Sequence, residues 1–368
     1  MKPWLAGAVA CTTTLALLIA VASTDGSSTQ PARKFQNNYL AFEPKGLLAV
    51  LKWRLDSSRA GLPPPPAAPI PAAAPDLAFI AANASAGVAM QPAVTWIGHA
   101  TVLAQLGGIN LLTDPHFSQR ASPLSFIGPK RQVEPGIELA ALPHIDVVLI
   151  SHNHYDHLDE ASVRALAAQP GGSPVFIVPL GLKAWFAGCG IVNVIELDWW
   201  QSHSVEGANG PVDVVLTPVQ HWSGRGLTDR MQTLWGGYAV FAPDQHLFFS
   251  GDTGYSKDFA DIRERFASRQ SGPQGGFDIA LIAIGAYEPR WFMATQHVNP
   301  AEAVQIHLDL GARRSMGVHW GTFELTDEAL DEPPRRLAQA RLDKGVAEEA
   351  FFVSAIGETH RLAPRGPR

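Results

Sequence analysis

The sequence predicts a layered α/β domain, and three observations carry the prediction. Short apolar runs, each closed by polar residues or glycine, recur from about Val94 onward with helical patterns between them. Segments that alternate in this way bury their apolar faces by stacking as layers. With 368 residues and 46% hydrophobic content, the chain is long enough for one large domain plus an N-terminal extension. Histidines and aspartates, finally, gather where the predicted strands stop, and a sheet presents its terminal loops on one edge.

Taken in order, residues 1–22 open with Met1-Lys2 and run through a largely apolar stretch from Trp4 to Ala22. That length suits a cleaved signal peptide, with Ala20-Val21-Ala22 as the small-x-small site, or an N-terminal membrane anchor. Both readings predict an exported protein, periplasmic or extracellular, held peripherally at a membrane or anchored by its N-terminus. Residues 23–75 read as an extension containing an amphipathic helix at 46–55, with Trp53 and two basic residues near its end. Such a helix suits either a membrane interface or the flank of the main domain. From Pro63 to Pro75 the chain is rich in proline and alanine, which makes a stiff connector because proline fixes φ and has no N–H to donate.

Residues 76–368 make the main domain. Strands are expected at 94–97, 101–106, 110–113, 146–150, 175–178, 213–217, 238–241, 246–250, 279–284 and 315–318. Helices are expected at 160–168, 258–267, 300–310 and 332–344, and no internal repeat of constant period is visible. The charge balance, 28 basic against 34 acidic residues with a pI near 6.1, has no broad basic footprint and excludes nucleic acid as a partner. Of Cys11 and Cys189 only the second survives cleavage after Ala22, so the fold depends on its core and on metal rather than on a disulfide.

The densest chemical signal follows the predicted strand at 146–150: His152, His154, Asp156 and His157 within six residues. Imidazole nitrogen and carboxylate oxygen are the ligands zinc takes in hydrolytic sites, and side chains two apart on a turning loop converge on one ion. Asp156 and His157 then face a second ion. One cluster cannot satisfy two metals, so further ligands must come from other strand ends. His221, Asp252 in the turn Gly251-Asp252-Thr253-Gly254, and His319 stand at such positions. Each alone is more often a capping or core residue; their recurrence at strand ends shifts the balance to ligation.

These residues carry a resemblance. His-x-His-x-Asp-His after a strand, then His221, Asp252 and His319, resembles the metallo-β-lactamase superfamily, whose fold is an αββα sandwich. More closely, the chain from about Val94 resembles the N-acylphosphatidylethanolamine-hydrolysing phospholipase D family. The matching stretches are 150–159, 194–200, 251–255, 284–293 (Ile-Gly-Ala-Tyr-Glu-Pro-Arg-Trp-Phe-Met) and 319–323. The resemblance implies one zinc on His152, His154 and His221, another on Asp156, His157 and His319, and Asp252 bridging both. It also implies that Tyr155 and His297 approach the substrate, with residues 76–368 as the catalytic domain.

The implied reaction is hydrolysis of N-acylphosphatidylethanolamine to N-acylethanolamine and phosphatidic acid by a metal-bridging hydroxide, with two Zn2+ per chain and Asp252 and His297 as catalytic residues. His297, Tyr155 or a water would protonate the leaving group. Expected partners are a phospholipid substrate and a membrane surface, with a homodimer as the candidate assembly. Asp114 and Glu288 are candidates to hold ligand imidazoles from behind, whereas His99, after a strand, reads as structural. Two alternatives are a lactonase or other phosphodiesterase of the same fold, which the run at 284–293 disfavours, and a non-catalytic metal-stabilised lipid-binding protein, which a complete ligand set disfavours.

Overall fold

The computed structural model describes residues 34–365, apart from 42, 44, 227 and 271–274. The signal peptide or anchor expected at 1–22 therefore lies outside the described residues. All described residues fall in one unit, Lys34–Arg368.

In chain order the first strands are β1 (Ala93–Gly98), β2 (Thr101–Leu106), β3 (Ile109–Thr113), β4 (Val147–Leu149), β5 (Val175–Pro179) and β6 (Val194–Leu197). They are followed by β7 (Ser202–Gly207), β8 (Gly210–Thr217), β9 (Gly237–Phe241), β10 (His246–Phe249), β11 (Ile279–Ala283), β12 (Ser315–Val318), β13 (Phe351–Val353) and β14 (Thr359–Arg361). The helices are α1 (Leu47–Ala60), α2 (Leu77–Ala84), α3 (Glu160–Ala167), α4 (Lys183–Gly188), α5 (Asp258–Arg265), α6 (Arg290–Met293), α7 (Pro300–Leu310) and α8 (Glu332–Lys344).

Two seven-stranded mixed sheets result, in the orders β14-β1-β2-β3-β4-β5-β6 and β13-β12-β11-β10-β9-β8-β7. Each begins as an antiparallel meander, β1–β3 in one and β7–β10 in the other, and continues into three parallel strands. The tight β2–β3 turn is made by Gly107 and Gly108, both at positive φ (62° and 82°), as a two-residue hairpin requires. A Cβ at Gly108 would also meet the backbone nitrogen of Ala208 at 2.6 Å, so the turn is fixed to glycine by space as well as by φ.

The sheets face each other across a core that includes Trp96, Val214, Trp235 and Tyr238, and on the outer face of the second sheet α5 and α7 bring Phe259, Ile262, Val304 and Ile306 to the side that carries Phe248. A second core lies on the first sheet, where Ile80, Val163, Leu166 and Phe186 from α2, α3 and α4 cover Leu103, Leu112, Val148 and Phe176. The molecule is thus an αββα sandwich. Strands covered on both faces read as continuous apolar runs, which is why the central ones were legible. Truncating a fully buried phenylalanine such as Phe248 costs roughly 3–5 kcal/mol in such a core.

Strands β6, β7, β13 and β14 and helices α2, α4 and α6 were not expected. Edge strand β7, Ser-His-Ser-Val-Glu-Gly, buries no residue fully, and β13 and β14 are three residues each, too short to show a period. Helix α1 lies on the flank of the domain: buried Trp53 donates from Nε1 to Asp327 Oδ2 at 2.8 Å and packs 4.8 Å from the Phe292 ring. The proline-rich connector is pinned by Asp331 Oδ2, which accepts from the Ala67 and Ala68 amides at 3.1 Å.

One consequence of this topology governs the rest. The chain leaves β1, β3, β4, β8, β10, β11 and β12 into segments that carry His99, Asp114, His152–His157, His221, Asp252, His297 and His319.

Candidate metal centre

Two side-chain clusters stand together at this edge. In one, His152 Nε2 lies 2.8 Å from His154 Nδ1, and His221 Nε2 lies 3.3 Å from the same nitrogen. In the other, His157 Nε2 faces His319 Nε2 at 3.1 Å, and Asp156 Oδ2 is 3.3 Å from both. Asp252 joins them: Oδ2 is 3.1 Å from His157 Nε2, 3.8 Å from His221 Nε2 and 3.9 Å from His152 Nε2, while Oδ1 is 3.1 Å from His319 Nε2. His154 and Asp156 are half-buried, and the other five of these residues are buried.

The donor set fits divalent cations. His221 Nδ1 is committed to the Gln296 carbonyl at 2.8 Å, and His157 Nδ1 to Asp114 Oδ2 at 2.7 Å. Each of those bonds needs the hydrogen on Nδ1, so in the neutral ring a bare Nε2 lone pair points into the cluster. Lone pairs turned on one another at about 3 Å repel unless a cation or a proton lies between them, and His154 Nε2 is buried with no hydrogen-bond partner. Imidazoles and carboxylates converging in this way are a metal-ligand set, and the outer carbonyl and carboxylate are the partners that orient ligating rings.

Protonation follows burial and charge. Burial pushes His154 and His221 down to about 3 and His152 well below its ordinary value, so these rings are neutral at pH 7. His157 is the exception. Burial alone would lower it, but Asp252, Asp156 and Asp114 outweigh burial and hold it well above 6.5. Burial likewise works against ionising Asp252 and Asp156, yet the histidines around them, His157 first, keep both well below the usual carboxylate range.

The structure therefore gathers His152, His154, Asp156, His157, His221, Asp252 and His319, and His297 with them: its Nδ1 is 3.8 Å from Asp252 Oδ2. Burial pushes His297 down to about 4. Tyr155 turns elsewhere, into a cleft of about 600 Å3 that it lines with Leu124, Trp185 and Arg225, and the Arg225 guanidinium sits 3.9 Å from its ring centre. Of the two candidates for holding a ligand, Asp114 does so, also accepting from Ser151 N and Oγ; Glu288 instead accepts from the Arg290 amide. His99 was read as structural and stands inside the second cluster, with Nε2 3.1 Å from Asp156 Oδ2 and its ring centre 4.0 Å from that of His319. Its place directly after β1, like that of His319 directly after β12, was the available signal.

The sandwich and this ligand-bearing edge define a metal-dependent hydrolase of the metallo-β-lactamase superfamily, and the Beta-lactamase superfamily domain matches residues 109–320. Within it the chain belongs to the N-acylphosphatidylethanolamine-hydrolysing phospholipase D family. It is 40% identical over 278 residues, 74% of this chain and 76% of the relative, to N-acyl-phosphatidylethanolamine-hydrolyzing phospholipase D 1 of Caenorhabditis elegans. The mitochondrial enzyme of that name from Saccharomyces cerevisiae is 39% identical over 267 residues, 72% of this chain and 55% of the relative. Among solved structures, a possible metal-dependent hydrolase from Veillonella parvula superposes with a TM-score of 0.58 at 17% identity, covering 74% of this chain and all of that one, which shows the shared fold.

The expectation of an exported, membrane-held protein is corrected. Among the described residues no helix is long and apolar enough to cross a membrane, and the yeast relative is named as mitochondrial, a destination that an export signal does not serve. That reading rested on the apolar stretch from Trp4 to Ala22 and the small-x-small pattern Ala20-Val21-Ala22, and neither feature separates an export signal from other N-terminal segments.

Proposed function

We propose that the chain is a dinuclear zinc phosphodiesterase of the phospholipase D type, converting N-acylphosphatidylethanolamine to N-acylethanolamine and phosphatidic acid. The observation that carries the reading is the pair of His/Asp clusters joined by Asp252, in a chain 40% identical to a relative named for that reaction. One ion would be held by His152, His154 and His221, the other by Asp156, His157 and His319, with Asp252 shared. Bound zinc supplies Lewis acidity toward a phosphoryl oxygen and makes water a usable nucleophile near neutral pH.

The remaining work belongs to the chain. Asp252, ionised and facing both clusters, fixes the distance between them and accepts hydrogen bonds from an attacking water. Asp114 and the Gln296 carbonyl lock the tautomers of His157 and His221, so that no reorganisation is needed when charge develops. His297, neutral at pH 7, is placed beside Asp252 to donate one ring N–H to a substrate oxygen rather than to act as an imidazolium acid. The cleft lined by Tyr155, Leu124 and Trp185 offers apolar wall for a lipid chain.

The test is to incubate zinc-loaded protein with N-acylphosphatidylethanolamine, phosphatidylethanolamine and a panel of lactones, identifying products by mass spectrometry. N-acylethanolamine and phosphatidic acid in equal amounts are expected. Opening of lactones alone would sink the phospholipase reading and favour the lactonase.

A further inference from the structure

We infer that Asn37, far N-terminal to the domain that carries every ligand, is a positioning residue of the metal centre, and that the segment 35–40 is a strap built to hold His221. The inference rests on the metal reading above and extends the centre by one residue that touches no metal.

The geometry is reciprocal. Asn37 Nδ2 donates to the His221 carbonyl at 2.9 Å, and Asn37 Oδ1 accepts from the His221 amide at 3.1 Å, across 184 residues of sequence. One side-chain amide thus pairs with both backbone groups of a single ligand, as a neighbouring strand would. Asparagine is suited to this because its short amide carries an acceptor and two donors in one plane. The same Oδ1 accepts from Trp235 Nε1 at 3.1 Å, and that indole also donates to the Val219 carbonyl at 3.0 Å, so the amide is itself held in orientation by a fully buried side chain.

The strap grips the next residue too. Gln220 Nε2 donates to the Leu40 carbonyl at 3.1 Å and to the Thr295 carbonyl at 3.3 Å, and Gln220 pairs through its backbone with Gly254 in the Asp252 turn. At the strap's start the Phe35 amide donates to the Met231 carbonyl at 2.8 Å. His221 leaves β8 four residues after its last paired residue, Thr217, so the sheet alone does not fix its backbone. Asn37 fixes the backbone, and the Gln296 carbonyl fixes the ring. Because zinc–nitrogen bonds of about 2.0–2.1 Å tolerate little displacement, a ligand on an irregular segment needs such support.

Neighbouring Asn38 supplies the control. It belongs to the same strap but donates to Asp258 Oδ1 at 2.8 Å, on α5 and not on a ligand. Full-length wild type, Asn37→Ala, Asn37→Asp and Asn38→Ala are compared for zinc affinity by chelator competition and for melting of the metal-free protein. Both alanine variants should lower the melting temperature of the metal-free protein by similar amounts. Asn37→Ala should weaken zinc at one of the two sites by about 10–100-fold, the usual effect of removing an outer partner of a ligand, and Asn38→Ala should leave both affinities as in wild type. Asn37→Asp keeps the acceptor, loses the donor and should fall between. Wild-type affinity in Asn37→Ala, or equal losses in the two alanine variants, would overturn the assignment; if Asn37→Ala does not fold, the comparison of Asn37→Asp with Asn38→Ala decides in the same way. A wild-type chain that takes up no zinc overturns the metal reading itself, and this one with it.

Discussion

The two sheets are built alike, yet they furnish the metal centre in different ways. The first gives His152, His154, Asp156 and His157 from one loop after β4, backed by Asp114 after β3. The second gives His221, Asp252 and His319 from three separate strand ends, after β8, β10 and β12. Each cluster nevertheless takes one histidine from the second sheet and its neighbours from the first. The loop of the first sheet fixes spacings by local geometry, while the second sheet fixes them by strand order. Neither ion would have a full ligand set unless the sheets were docked, so metal binding and docking are linked.

Asp252 is the place where that comparison breaks most severely, since among the described residues it is the carboxylate that reaches histidines of both clusters. Asp252→Asn removes the shared charge and should reduce turnover by about a thousandfold, the equivalent of about 4 kcal/mol in the transition state. Steady-state rates on the lipid substrate, with zinc content measured on the same sample, check it; activity within tenfold of wild type would remove Asp252 from the centre as drawn.

A smaller effect separates the ways in which the sheets orient their ligands. His157 leans on a side chain, the Asp114 carboxylate, whereas His221 leans on the backbone carbonyl of Gln296. Asp114→Asn should therefore weaken zinc at the second cluster by about 10–100-fold. Gln296→Ala keeps the carbonyl and should leave zinc affinity unchanged. Equal losses in the two variants, by chelator competition, would show that the distinction has no energetic content.

The same contrast explains what was legible in the sequence. The run from His152 to His157 is readable because a turning loop brings alternate residues together, so six letters carry the geometry. His221, Asp252 and His319 were readable only because strands could be placed before each of them. His99 and Asp114 stand at equivalent positions, but one was taken as structural and the other as one of two candidates, because a single polar residue after a strand has many ordinary roles. Both adopt positive φ, 51° and 32°, a backbone state that sequence does not announce for histidine or aspartate. Central strands were visible as apolar runs, while β7, half exposed, and the short β13 and β14 gave no pattern. Asn37 lay beyond reach altogether, since its partner is 184 residues away and nothing local marks it.

The finest distinction between the clusters is protonic. Before metal enters, the rings of His154 and His221 are pushed down to about 3 by burial and hold no proton at pH 7. His157, raised well above 6.5 by the three carboxylates around it, still carries one. A cation entering the first cluster displaces nothing, but a cation entering the second must expel the proton on His157. Raising the pH removes this competitor, so affinity at the second cluster should climb by about tenfold per pH unit until the raised value is passed, and then level off. Affinity at the first cluster should be flat from about pH 5 to 8. Zinc titration in weakly buffered solution at pH 7 should accordingly release about one proton per chain in one binding step and close to none in the other. Asp114→Asn, by removing one of the carboxylates that hold His157 charged, should diminish that release, and identical release in both steps would erase the difference between the clusters.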